Sequence, residues 1–159
     1  MKIKKVLIGI DNSNIAEHAA QYGFELAVAF KAEVGLVNVV EPIVAPMGGS
    51  IDPMGGTSLP EMTSVDAELM DIQNQSSKKL VDRIADEFGA GLSVTHFTEF
   101  GDTADGILQA CAEFNADVIV VGTHSRSGLD RLLMGSVAEH VVRHAMVPVF
   151  VVPLPHHEE

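Results

Sequence analysis

The chain has 159 residues, 47% of them hydrophobic and 20% charged, which suits one domain of ordinary size with enough apolar surface to offset the entropy of ordering it. Ten Lys and Arg against 22 Asp and Glu leave a formal charge of −12, a field that repels nucleic-acid backbones and anionic membrane surfaces while leaving room for a small anion at a local site. The single cysteine, Cys111, excludes an intrachain disulfide and a cysteine-based zinc cluster and suits a reducing compartment.

Residues 3–10 form a short β-branched run ended by Asp11, Asn12 and Ser13, which are helix-start residues. Lysines precede that run, but Asp11 interrupts it too soon for a signal peptide, and no stretch reaches the roughly 18 apolar residues of a membrane span. The expected location is the cytoplasm. From Ser13 to Phe30 the residues Ile15, Ala19, Tyr22, Leu26 and Phe30 fall on one stripe, opposite Glu17, His18, Gln21 and Glu25, which predicts a helix laying the first set on a sheet. Val34 to Val40 is a second strand, and the short connections favour a parallel crossover.

Residues 41–60 hold four prolines and four glycines and no period, so a long mobile loop is expected at about 41–62. Val65, Leu69, Ile72, Leu80, Ile84 and Phe88 then mark a long amphipathic helix ending at Gly89 or Gly91. Leu92 to Phe100 alternates as a third strand with one half-exposed face, the signature of a sheet edge. Asp102 is placed to cap a third helix with the inner stripe Ala104, Ile107, Leu108, Cys111 and Phe114. Asp117 to Val121 reads as a strand covered on both faces and stopped by Gly122. A polar, glycine-punctuated segment leads to Gly135, Ser136 begins a helix to about Ala145, and Val147 to Val152 is the last strand. Five strands separated by four helices predict an α/β fold, an open parallel sheet with helices on both faces, in one domain over 1–155 with a tail at 156–159.

Ligands of such sheets bind beyond the carboxyl ends of the strands where strand order reverses. The candidates are therefore Asp11 after the first strand, Val39 and Val40 at the end of the second, and Gly122 through Gly128 after the fourth, leading to Gly135, Ser136 and Val137. Gly135 has no β-carbon to block an approaching group, Ser136 is placed to cap the helix, and a helix starting there aims unpaired N–H groups and partial positive charge into the crevice. That is a phosphate-sized anion site, with Gly122 allowing a second close approach and Arg126 and Arg131 supplying positive charge. The bland alternative is that these glycines only turn the chain. Neither the P-loop nor the dinucleotide glycine fingerprint occurs.

The remaining constellations read as structure. His140 and His144 share a polar face with Glu139 and Arg143 and have no evident third ligand, so a solvated face is expected rather than zinc. His156 and His157 fall in the tail, Cys111 on an apolar stripe, and Asp102 with Asp105 at a helix start. His124 is a weaker candidate for a phosphate contact. No nucleophile, base and orienter stand in a readable arrangement, so hydrolysis has no evident engine.

The segment Gly122-Thr-His-Ser-Arg-Ser-Gly-Leu-Asp-Arg-Leu-Leu-Met-Gly-Ser-Val-Ala-Glu-His-Val, with Val-Pro-Val-Phe-Val-Val-Pro after it and Val-Leu-Ile-Gly-Ile-Asp-Asn-Ser at the front, resembles the universal stress protein family over nearly the whole chain. The family's nucleotide motif is Gly, two residues, Gly, nine residues, Gly, then Ser or Thr. Gly122, Gly135 and Ser136 match it, but Ser125 replaces the second glycine, where its side chain either crowds the phosphates or donates to them.

The resemblance implies a Rossmann-like fold with strand order 3-2-1-4-5 and a regulatory site for ATP, AMP or ADP, with Mg or Mn carried on the phosphates. Position by position it puts Gly9 close to the nucleoside, Asp11 on the ribose or base, and the Val39 backbone on the adenine. Gly122, Ser125 and Arg126 would line the phosphates, with Gly135, Ser136 and Val137 at the helix terminus. It also implies a homodimer through the last strand, Val147 to Val152, which is apolar and uncharged and in that order lies at an open edge. The implied role is a dimeric sensor or adaptor with a protein partner unknown. The rivals are a nucleotide-free interaction module, which Ser125 favours, and a slow ATPase or phosphotransferase.

Overall fold

The computed structural model describes residues 2–41, 64–123 and 134–153. The expected loop beyond Glu41, the tail at 156–159, and His124, Ser125, Arg126 and Arg131 lie outside them. Nine elements follow in chain order among the described residues: β1 (Lys5–Gly9), α1 (Asn14–Phe30), β2 (Glu33–Val40), α2 (Ser64–Phe88), β3 (Val94–Phe100), α3 (Thr103–Phe114), β4 (Val118–Gly122), α4 (Ser136–His144) and β5 (Val149–Val152).

All strand pairs are parallel and the sheet order is β3-β2-β1-β4-β5, as the resemblance implied. The chain winds outward from β1 through β2 to β3, then crosses back to β4 and β5. With crossovers of one hand, a reversal of direction puts the helices before it on one face and those after it on the other. One core accordingly joins α1 and α2 through Val6, Ile8, Leu36 and Val120, and the other joins α3 and α4 through Leu7, Val37, Ile119 and Val121. Val6, Leu7 and Ile8 of the central strand are fully buried, because adjacent residues serve opposite cores. β3 is an edge strand, as its alternation predicted, and β5 is the other.

Two helices differ from their predicted faces. α1 lays Ala16, Ala19, Ala20, Gly23, Phe24 and Ala27 on the sheet, whereas Tyr22 and Phe30 of the predicted stripe stay 47% and 46% exposed. The reason is close approach: a β-carbon on Gly23 would fall 2.6 Å from Cδ1 of Ile8. A face built of alanine and glycine is the one that allows such contact, and its weak hydrophobicity hides it from a periodicity argument. In α2 the exposed residues include Val65, Leu69 and Ile72, and burial begins only with Ser77, Leu80, Val81 and Ile84. No helix of the described residues is long and apolar enough to cross a membrane.

Candidate functional site

A cleft of about 920 Å³ opens at the carboxyl ends of β1, β2 and β4, within the size range of small-molecule sites. Gly9, Asp11, Val39, Gly122, Gly135, Ser136 and Val137 all line it. These are all the described members of the predicted set; Ser125 and Arg126 fall outside the described residues.

The floor is the exit of β1. Ile10 donates its N–H to Val37 O at 2.9 Å, and the Asn38 side-chain amide donates to Ile10 O at 2.9 Å. Both backbone groups of Ile10 are thus tied to β2, which fixes where the chain releases Asp11. One Asp11 carboxylate oxygen then accepts from the Ser13 N–H at 2.7 Å, and the Ser13 hydroxyl oxygen accepts from the Ala16 N–H at 3.1 Å to cap α1. Asn38 was missed in the sequence, although a polar residue within the apolar run of β2 was the available signal.

The strand-end glycines have a reason other than ligand approach. A β-carbon on Gly122 would lie 2.5 Å from Cγ2 of Ile15 and 3.2 Å from its carbonyl oxygen, so this glycine lets the first turn of α1 settle on the end of β4. A β-carbon on Gly9 would lie 3.2 Å from both Ile107 Cδ1 and Val121 Cγ1, so Gly9 accommodates α3.

The β4 side of the cleft ends at α4. Gly135, not Ser136, is the N-cap, with φ −59° and ψ 155°, and Ser136 is the first helical residue. The predicted cap is corrected by one position, because the Gly135 carbonyl already accepts from the Glu139 N–H at 2.9 Å. Its own N–H donates to Thr123 O at 2.6 Å, and the Thr123 N–H donates to Val152 O at 3.0 Å, so β4, β5 and the start of α4 are tied together. The Gly135 amide is therefore taken. Among the described residues nothing accepts from the amides of Ser136, Val137 and Ala138, which carry the partial positive charge of the nine-residue helix.

The β2 side is acidic and hydroxylic. The Thr103 hydroxyl donates to Glu41 Oε1 at 2.6 Å, and Gln73 donates to the Glu41 carbonyl at 3.4 Å. Beside them, Ser77 and Thr98 share a hydrogen bond of 3.2 Å that satisfies the buried Ser77 hydroxyl. The sequence reading did not reach this wall, since Glu41 was assigned to the loop and Thr103 to a helix start.

Outside the cleft, Asp102 caps α3 by accepting from the Ala104 and Asp105 amides. Asp105 pairs instead with His140 Nε2 at 3.2 Å, His140 stacks on His144 at 4.2 Å, and Arg143 pairs with Glu139 at 2.8 Å. Among the described residues no group of three or more His, Cys, Asp or Glu is placed to hold a metal. Burial raises the Cys111 thiol pKa, which lowers its reactivity.

Comparison with known proteins agrees with this fold. The chain is 34% identical over 155 residues to universal stress protein MJ0531 of Methanocaldococcus jannaschii, covering 98% of this chain and 85% of the relative. Its fold matches universal stress protein UspA from Lactobacillus plantarum with a TM-score of 0.76 at 19% identity, covering 96% and 99% of the two chains. It also matches a universal stress protein solved in complex with cAMP, with a TM-score of 0.69 at 20% identity over 96% and 98% of the chains. An Arabidopsis thaliana member with AMP bound gives 0.58 at 19% identity over 98% and 94%. The profile of the universal stress protein family covers residues 2–153, and on that match, together with the sheet order and the cleft, the chain belongs to the universal stress protein family.

Proposed function

We propose that this chain binds ATP, or AMP or ADP in its place, as a regulatory ligand and acts as a cytoplasmic homodimeric sensor or adaptor. The observation that carries the reading is the group of α4 amides, from Ser136 to Ala138, without acceptors among the described residues and in the same cleft as Asp11 and the end of β2. The amides take the phosphates, with Ser125, Arg126 and the backbone at Gly122 and Gly135 beside them. Asp11 takes the ribose or base, the Val39 backbone takes the adenine, and Gly9 lies close to the nucleoside. The cAMP and AMP complexes of structural relatives support a nucleotide in this fold. A divalent cation, Mg or Mn, rides on the phosphate oxygens and offsets the repulsion of a protein whose formal charge is −12.

Dimerisation uses the outer edge of β5, which pairs only with β4 among the described strands and carries Phe150 at 52% exposure. An uncovered apolar edge is stabilised by pairing with its own copy across a two-fold axis. Denaturing freshly purified protein should release adenine nucleotide, and calorimetry should detect ATP with magnesium. Neither signal appearing would overturn the reading. Turnover that survives extensive purification and falls on altering Asp11 or Ser136 would make the chain an ATP-consuming enzyme instead.

A second reading, a nucleotide-free dimeric module, is favoured by Ser125 at a motif glycine position and by the packing reason for Gly122. It expects Ser125→Gly to create or sharply strengthen ATP binding, whereas the first reading expects little change.

A further inference from the structure

We propose that the amino-terminal end of the sheet, opposite the cleft, docks a short acidic peptide segment of a partner protein, with Lys2, Lys4 and Lys31 meeting its carboxylates and Phe30 meeting an apolar side chain among them. The inference goes beyond the reading above and does not depend on nucleotide binding.

Four of the six lysines of a chain with formal charge −12 gather at this end: Lys2, Lys4 and Lys5 lead into β1, and Lys31 precedes β2. Glu33 donates its N–H to Lys4 O at 2.8 Å and stands in register with Lys5, so the two lysine-bearing segments run side by side. The carboxyl ends of the helices also lie here, and a cation beside them offsets their partial negative charge. Lys5 does that work, since its Nζ donates to Phe114 O at 3.1 Å in the last turn of α3 and lies 4.8 Å from the centre of the Phe114 ring. Lys2, Lys4 and Lys31 are exposed, and among the described residues nothing accepts from their ammonium groups. Of the acids at the same strand starts, Asp117 turns its carboxylate onto the Lys4 and Lys5 N–H groups at 2.7 and 3.0 Å, which leaves Glu33 as the exposed one.

Phe30, the last residue of α1 and the neighbour of Lys31, keeps 46% of its surface exposed. An aromatic ring with cations around it matches a segment whose carboxylates flank an apolar residue. The rest of the chain carries the excess of acid, so a long polyanion or an anionic membrane reaching past the patch is repelled, and two copies meeting on this face would set like charges together. A short acidic segment avoids both penalties. The turns at this end, residues 31–32, 89–93, 115–117 and 145–148, are all described, whereas the segments 42–63 and 124–133 begin and end at the cleft end of the sheet. β1 is five residues long, so the surface stands roughly 17 Å from the cleft and leaves it open.

The test follows the fluorescence anisotropy of a labelled peptide, one phenylalanine flanked on each side by three glutamates, with the full chain, and maps the contact by amide chemical-shift changes. Affinity should fall about tenfold between about 50 and 300 mM salt, with shifts confined to residues 2–5 and 28–33. Lys4→Glu together with Lys31→Glu should weaken binding at least about tenfold. Phe30→Ser should weaken it about fivefold and leave the salt dependence unchanged. All three positions are exposed, so the amide spectra of the variants should otherwise match the wild type. No binding at the lower salt, shifts centred on the cleft, unchanged affinity in both variants, or displacement of the peptide by ATP would overturn the proposal. Tighter binding of a single-stranded oligonucleotide of equal charge would also overturn it, since the patch would then read phosphates.

Discussion

Gly122 and Gly135 are the two ends of one motif and they do different work. The missing side chain of Gly122 is demanded from inside the protein, since Ile15 of α1 fills the space where its β-carbon would stand. Gly135 has ordinary extended dihedrals and serves as the cap whose neighbours present amides to the cleft. Two glycines that look equivalent as letters therefore separate into one that shapes the packing of the scaffold and one that starts the helix whose amides line the cleft. The same distinction runs through the cleft: Gly9 and Gly122 bring helices onto strands, and the polar groups lining it come from helix starts and from Glu41 just after β2.

The largest effect should come from breaking that contrast at its packing end. Gly122→Ala puts a methyl group 2.5 Å from Ile15 Cγ2, and overpacking of this kind costs about 2 kcal/mol. Urea unfolding should show the loss, and Ile15→Ala in the same chain should recover most of it, because the two positions contend for one space. Gly135→Ala should cost under about 1 kcal/mol, since its φ suits any residue, while its nucleotide affinity falls. A Gly122→Ala chain that is fully stable but cannot bind nucleotide would reverse the assignment and make Gly122 the ligand-facing residue.

Next in size is Asn38. Asn38→Leu deletes the donor to the Ile10 carbonyl and leaves that group in a half-buried place without its partner, a loss of about 1–2 kcal/mol. Since Ile10 fixes the release point of Asp11, affinity should fall with stability. Asp11→Ala, by contrast, removes a carboxylate at an exposed position and should weaken nucleotide binding while costing only about 0.5–1 kcal/mol through the lost Ser13 contact. Equal loss of affinity in the two variants, with the larger loss of stability in the first, would confirm that Asn38 acts by positioning.

Most of the scaffold was legible because its signals are local. Short apolar runs gave all five strands, and Asp102 gave its cap because a carboxylate two residues before an amide can reach it. The inner face of α1 was not legible, because alanine and glycine bury through fit to Ile8 rather than through hydrophobic weight. In the cleft, Asp11, Val39 and Gly135 were reachable from general topology and helix electrostatics. Asn38, Glu41 and Thr103 were not, because their roles depend on contacts between residues 28 and 62 positions apart, which no local pattern encodes.

The smallest predicted effect concerns a third glycine that brings a helix close. A β-carbon on Gly106 would lie 2.7 Å from Val39 Cγ2 and 3.1 Å from Glu99 Cβ, so its absence lets α3 settle against β2 and β3. The approach partly buries Glu99 and sets it near Glu113, and burial first, then the neighbouring charge, raise its pKa above the ordinary 4.5. In that window the native state holds a proton that the unfolded chain has released, so stability should fall as pH rises from about 4.5 through the raised native value and then level off. Glu99→Gln cannot ionise and should flatten this part of the stability profile, measured by urea unfolding between pH 4 and 7, without altering nucleotide affinity. Glu113→Gln should shrink the slope less, since it removes the lesser of the two causes. A profile that rises over the same range and is unmoved by either variant would mean that Gly106 brings α3 in without burying the carboxylate.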